Sequence, residues 1–295
     1  MKKCIIISLF LVAMIVNRQE ALAYDFFTTV NAGEQREYKL YFNVIEGSMD
    51  DLPLCEVTYS ECEQQGDEIL YNNCNSDYKG AIIVPETVEH EGKTYKVYKI
   101  GDHAFQNCKE LAVVYLERQY IIGKEAFKDC VSLSGCNPEN YSVYEIHASA
   151  FENCKSLKKY RFIPDNFATP IIEEKAFAGC TGLESFSLYL GNFLLSCPEN
   201  VFSIDENNFI DCNLSVDSNM IEQYKSITPW CWFKQITPID EYPTGGGMPS
   251  SVDKIEKDSN TNNIYTLDGV NTGMKSFQNL LKGIYIQGNK KVFLQ

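Results

Sequence analysis

The sequence predicts a β-rich α/β solenoid carrying a short parallel sheet of about five coils. An N-terminal β cap and a C-terminal cap are expected to close it, and a small β tail to follow. Three observations predict this. First, "IGDHAFQNCKEL" from Ile100 returns as "IGKEAFKDCVSL" from Ile122, "IHASAFENCKSL" from Ile146 and "IEEKAFAGCTGL" from Ile172. Second, the intervals of 22, 24 and 26 residues are kept by Phe105, Phe127, Phe151 and Phe177 and by Cys108, Cys130, Cys154 and Cys180, so the motif is rigid and the insertions fall outside it. Third, the segments that follow the motif alternate apolar and polar residues, the pattern of a half-buried strand.

Each motif position has a physical reason. A period in this range with recurring apolar positions is that of a leucine-rich-repeat solenoid: one repeat cannot bury its apolar face, whereas stacked repeats bury a continuous core between them. Ala is small where the chain turns tightly inward, and Phe fills the widest part of the coil. Cys serves as a small buried hydrophobe, and Leu opens the strand. In "LAVVYLE", Leu111, Val114 and Leu116 point inward, with Val113 and Tyr115 outward. In "LKKYRFIP", Leu157, Tyr160 and Phe162 point inward, with Lys159 and Arg161 outward. In "LESFSLYL", Phe186 and Leu188 point inward, with Ser185, Ser187 and Tyr189 outward. In the second repeat Cys136 takes an inward position and Pro138 ends the strand early. A fifth unit is degenerate, with Val201-Phe202 in place of Ala-Phe, Cys197 in place of Ile and Asp205 in place of Cys.

The motif resembles the BspA-like class of bacterial leucine-rich repeats, which read Ile-Gly-x-x-Ala-Phe-x-x-Cys-x-x-Leu. The resemblance extends from Tyr24 to Ile239. It implies an extended β-rich cap over residues 24–95, repeats over 96–211 and a closing unit over 212–240. In that unit Tyr224, Trp230 or Trp232, and Phe233 would cover the open end. It also implies a secreted or surface-exposed protein associated with adhesion. Residues 241–260 have the Pro, Gly and Ser content of a linker. In residues 261–295, strands at Ile264 to Leu267, Gly283 to Gln287 and Lys291 to Leu294 are separated by turns at Asp268-Gly269 and Gly288-Asn289. This tail is similar to the C-terminal sorting domains of type IX secretion; a small β cap without a sorting role is the other reading.

The N-terminus fits a signal peptide over residues 1–23. Lys2 and Lys3 precede an apolar run from Cys4 to Val16, and "ALA" ends at Ala23,. The run is too short to span a bilayer, and an uncleaved anchor is the alternative. The net charge is −14, and loss of residues 1–23 would take away three bases and one acid and leave −16. That balance argues against nucleic acid and anionic membrane surfaces as partners. Of twelve cysteines, Cys4 leaves with the signal and the four in the motif are expected as free thiols in a dry interior; the remaining seven (Cys55, Cys62, Cys74, Cys136, Cys197, Cys212 and Cys231) could form one or two disulfides that the sequence does not pair,.

No catalytic, cofactor or metal motif is present. His103 and His147 fall at variable positions two coils apart, about 10 Å by strand spacing and too far to share a metal. His90 is expected in a turn. "TGGGMP" lacks the strand and helix of a phosphate cradle, and "EGSMDD" lacks the alternating ligands of a calcium loop,. The expected function is therefore a non-catalytic binding module for a protein or glycan partner, with the outward strand residues Tyr115, Lys159, Arg161 and Tyr189 as readers. A structural surface-coat component and a glycan or peptide hydrolase using scattered acids are the alternatives.

Overall fold

The computed structural model describes residues 24–31, 37–60, 63–65, 68–70, 78–138, 143–163, 169–204, 210–239, 264–266, 283–287 and 290–294. The expected signal peptide lies outside them, as do Cys62, Cys74 and Asp205. Before the repeats come β1 (Phe26–Asn31), β2 (Glu37–Met49), β3 (Leu52–Thr58), the hairpin of β4 (Glu63–Gln65) and β5 (Glu68–Leu70), then β6 (Gly80–Val84), β7 (Thr87–His90) and β8 (Lys93–Ile100). The repeats supply β9 (Leu111–Leu116), β10 (Ile121–Ile122), β11 (Gly135–Pro138), β12 (Glu145–Ile146), β13 (Lys159–Phe162), β14 (Ile171–Ile172) and β15 (Ser185–Leu188). After β16 (Ile210–Val216) comes a single α-helical turn, α1 (Ile221–Tyr224), and then β17 (Phe233–Pro238). In the tail, β18 (Ile264–Thr266), β19 (Gly283–Gln287) and β20 (Lys290–Leu294) pair antiparallel. The turn residues expected between these three strands lie outside the described residues.

Each coil has three sides. On the first, Ile100, Ile122, Ile146 and Ile172 pair in parallel register through β8, β10, β12 and β14, all buried. On the second, the Ala-Phe-x-x-Cys segment is a stack of turns. Its φ is positive at His103 and Asn107, Glu125 and Asp129, and Ser149 and Asn153, and at Lys175 and Gly179 in the fourth coil. This alternation aims every second N–H at the following coil. Phe105 N donates to Ala126 O at 2.7 Å, Phe127 N to Ala150 O at 2.8 Å, Phe151 N to Ala176 O at 2.8 Å and Phe177 N to Val201 O at 2.9 Å. Buried backbone groups need such partners, and a turn ladder supplies them without a strand. Asn, Asp and Gly tolerate the left-handed region at the second of the two positions.

The turn ladder fixes the core. The rings of Phe105, Phe127, Phe151 and Phe177 stack at 5.2 Å per step, and Phe202 of the degenerate unit extends the stack at 5.7 Å. That step is close to the ~4.8 Å spacing of adjacent strands, so coil spacing and ring stacking reinforce each other. Beyond Phe202 the aromatic packing continues into Phe233 at 5.1 Å and Trp230 at 5.8 Å, with Tyr224 edge-on to Trp230. Trp230 is 0% exposed and its indole N–H donates to Leu195 O at 2.7 Å; Trp232 is half-buried. At the other end Tyr78 lies edge-on to Phe105 at 5.1 Å.

The third side carries the strands, and it differs from expectation in two ways. The strands form two parallel sheets, β6-β9-β11 and β13-β15-β16-β17 in spatial order β11-β9-β6 and β13-β15-β16-β17, rather than one. The break falls beside Pro138, which ends β11 and has no N–H to donate,. Cys136 is buried, as its inward alternation requires. Tyr189 is the second difference. It was expected outward but is 7% exposed, because β15 ends at Leu188 and the alternation stops there. His90 also departs from expectation: it closes β7, and its ring stacks on Phe26 at 4.4 Å.

Candidate functional site

The outward face of the strands is where the coil presents side chains that its core does not need. On β6 and β9 the outward residues are Ala81, Ile83, Val113 and Tyr115, with Ala81 opposite Val113 and Ile83 opposite Tyr115. Tyr115 is half-buried. The free edge of β6 is covered: Tyr38 Oη accepts from Ile83 N at 2.6 Å and donates to Ile83 O at 2.8 Å. On β6 and β9 this face is therefore apolar apart from one phenol.

The other half is polar. Parallel register lines up Lys159, Ser185, Asn213 and Gln235 in one row and Arg161, Ser187, Ser215 and Thr237 in the next. Asn213 Nδ2 donates to Thr237 Oγ1 at 3.0 Å and to Ser215 Oγ at 3.3 Å, so amide and hydroxyls hold one another in place. Lys159 and Arg161 are exposed and, among the described residues, make no ion pair. The acids closest to them in register are engaged: Glu184 with Lys158 at 3.7 Å and Asp211 with Lys234 at 3.0 Å. Of the expected readers, the structure places Lys159 and Arg161 together, puts Tyr115 on the separate first sheet and buries Tyr189. Asn213, Ser215, Gln235 and Thr237 were not singled out from the sequence, although the alternation in "IDCNLSV" and "FKQITP" carries them.

A second line of side chains also escaped the sequence reading. Tyr98, Tyr120 and Tyr144 each stand two residues before a ladder Ile. Tyr98 stacks on Tyr120 at 5.1 Å, and the Tyr98 and Tyr144 hydroxyls meet at 2.6 Å. Burial first, and then the hydrogen bond with Tyr98, push the Tyr144 phenol well above its ordinary value. The recurring Tyr in "YKI", "YII" and "YEI" was the available signal.

The buried cysteines are poor nucleophiles. Cys130 Sγ donates to Phe105 O at 3.0 Å, Cys154 Sγ to Phe127 O at 3.1 Å and Cys180 Sγ to Phe151 O at 3.0 Å. Each thiol thus fills the second lone pair of the Phe carbonyl one coil back, a role beyond that of a small hydrophobe. Burial pushes the Cys136 and Cys180 thiols up to about 12, and raises Cys130 and Cys154 as well. None of the nine described cysteines is in a disulfide. Elsewhere Lys96, 2% exposed, pairs with Glu86 at 2.7 Å and Asp50 at 3.2 Å; burial pulls its pKa down, but these hydrogen bonds and the nearby negative charge together raise it. Asp50 belongs to the acidic run that lacked a calcium pattern. His103 bonds Gln106 at 2.7 Å and His147 bonds Glu145 at 3.0 Å. Among the described residues no group of three or more His, Cys, Asp or Glu side chains is placed to hold a metal ion. No described helix is long and apolar enough to cross a membrane.

An Ile sheet, a Phe and Cys turn ladder and a parallel strand face in every coil define a leucine-rich-repeat protein built mostly of strands, with few helical residues. The chain belongs to the BspA type leucine-rich-repeat family: six copies match, over residues 93–214 and 162–280. Comparison with curated proteins gives no match. Among solved structures, a leucine-rich cell surface protein from Faecalibacterium prausnitzii is 21% identical with a TM-score of 0.36; the match covers 73% of this chain and 44% of that one. A leucine-rich-repeat protein from Bacteroides capillosus is 19% identical with a TM-score of 0.29, covering 72% of this chain and 98% of that one. A leucine-rich-repeat protein from Bacteroides ovatus is 15% identical with a TM-score of 0.26, covering 74% and 68%.

Proposed function

We propose that the chain is a non-catalytic, exported or cell-surface protein that binds a protein or glycan partner through the outward face of its strands, in adhesion or host interaction. The observation that carries this reading is the pair Lys159 and Arg161, two exposed cations on a rigid parallel sheet with no ion-pair partner among the described residues. Exposed charges of this kind add little to stability, so their place on the face points to a use outside the fold. Export rests on the signal-like residues 1–23 and on the tail over 261–295, read as a sorting segment. Residues 24–95 and 212–240 serve as the two caps; the Tyr38 contacts to Ile83 and the packing of Trp230 and Phe233 on Phe202 support that division.

A binding screen of the chain against matrix proteins and glycans tests the reading, repeated with Tyr115, Lys159 and Arg161 changed together to Ala. Loss of every hit in the triple variant is the expected result. Hits that survive it would place the site on the turn side or the caps and overturn the strand-face reading.

A further inference from the structure

Granted that the strand face is the binding surface, we infer that its C-terminal half, β13-β15-β16-β17, takes an anionic oligosaccharide, one whose sugars carry carboxylate or sulfate groups. Lys159 and Arg161 stand two residues apart on β13 and on the same side of it, about 6.6 Å apart along the strand. On a sugar chain that crosses the strands, two cations at that separation flank the acidic group of the one sugar lying over β13. Arg offers a planar fork suited to a carboxylate or sulfate, and Lys a point charge.

The rest of the half-face selects a sugar over another anion. In register with the cations run Ser185 and Ser187, then Asn213 and Ser215, at ~4.8 Å per strand,. That step is close to the length of one pyranose ring, so each successive strand can meet one successive sugar. Hydroxyl and amide groups both donate and accept, as sugar hydroxyls do. The mutual hydrogen bonds of Asn213, Ser215 and Thr237 pre-order these groups and lower the entropy lost on binding,. No carboxylate stands in either row, and Glu184 and Asp211 beside them are already paired with lysines.

The net charge of −14 does not oppose this. At about 0.15 M salt the Debye length is ~8 Å, so a short oligosaccharide lying on the sheet meets the local cation pair rather than the distant acids. Long polyanions at low salt are repelled.

The test uses the full chain and four defined probes, read by calorimetry at physiological salt: tetragalacturonate, its neutral methyl ester, a sulfated galactan tetrasaccharide and tetraglutamate. The expected result is binding of the uronate, the sulfated sugar or both, with the stronger of the two identifying the acidic group. The methyl ester and tetraglutamate should bind at least about tenfold more weakly, one lacking charge and the other hydroxyls. Lys159→Ala and Arg161→Ala should each weaken the acidic sugar about tenfold, and Lys159→Arg should restore it. Ser187→Ala should weaken the sugar without changing what little tetraglutamate binds. Equal binding of tetraglutamate would mean an acidic peptide site and overturn the inference. So would failure of both acidic sugars to bind, or insensitivity to Lys159→Ala and Arg161→Ala. A neutral glycan or protein hit that is lost on Tyr115→Ala but kept on Arg161→Ala would also overturn it, while leaving the strand-face function standing.

Discussion

The turn side and the strand side of the same coils obey different rules. On the turn side, four Phe rings keep one step of 5.2 Å and the Cys thiols keep one acceptor, the Phe carbonyl one coil back. On the strand side the sheet breaks at β11; β6 and β9 present apolar groups and one phenol, and β13 to β17 present cations, hydroxyls and amides. The difference teaches where freedom lies in a solenoid. The turn side is buried against both neighbouring coils, so any change in one propagates to two others. Lys159 and Arg161 on the outward strand face are exposed, so their identity can be set by a ligand.

Breaking the turn side should therefore be severe. Phe151→Ala opens a hole between Phe127 and Phe177 and should destabilise the fold by about 3–5 kcal/mol,, measured by denaturant unfolding. Ala150→Leu forces bulk into a fully buried turn and should cost about 1–3 kcal/mol,; a smaller loss than for Phe151→Ala is expected in the same assay. Cys154→Ala removes the thiol donor to Phe127 O and should cost about 1 kcal/mol,. If Cys154→Ala were neutral, neither the packing of the sulfur nor its hydrogen bond would add to stability.

The buried thiols also set an alkaline limit. Cys136 and Cys180 titrate at about 12 in the fold against an ordinary 9.0. Above 9.0 the unfolded chain has released these protons and the folded chain still holds them, so stability is fully present below 9.0 and falls as pH rises toward 12. Melting temperature should be level below about pH 8 and drop beyond 9.0; thiol-reactive dyes should label Cys136 and Cys180 only as the protein unfolds. The strand side should behave oppositely to all of this. Lys159→Ala and Arg161→Ala should each change stability by less than about 0.5 kcal/mol, within the scatter of unfolding measurements, while binding of the acidic sugar weakens about tenfold.

Much of this was legible in the sequence because it depends on neighbours at fixed offsets. The recurring Ile, Ala-Phe, Cys and Leu placed the core, and Val201-Phe202 was recognisable as a fifth, irregular step. Inward and outward residues of β9, β13 and β15 followed from alternation. Tyr189 did not, because alternation has no meaning once the strand has ended. The left-handed turns were half legible: Asn107, Asp129, Asn153 and Gly179 are residue types that accept positive φ, whereas His103, Glu125, Ser149 and Lys175 are held there only by the ladder of coil-to-coil hydrogen bonds.

By itself the sequence determined that coils form, how long each is and which side chains fill them, because period and burial are properties of a single chain segment repeated. Only the tertiary structure decided what those coils share. Whether the strands make one sheet or two, which rows of polar groups line up beside Lys159 and Arg161, and which carbonyl each thiol meets all depend on register between coils. That register is fixed by contacts 22 to 29 residues apart, which no local pattern encodes.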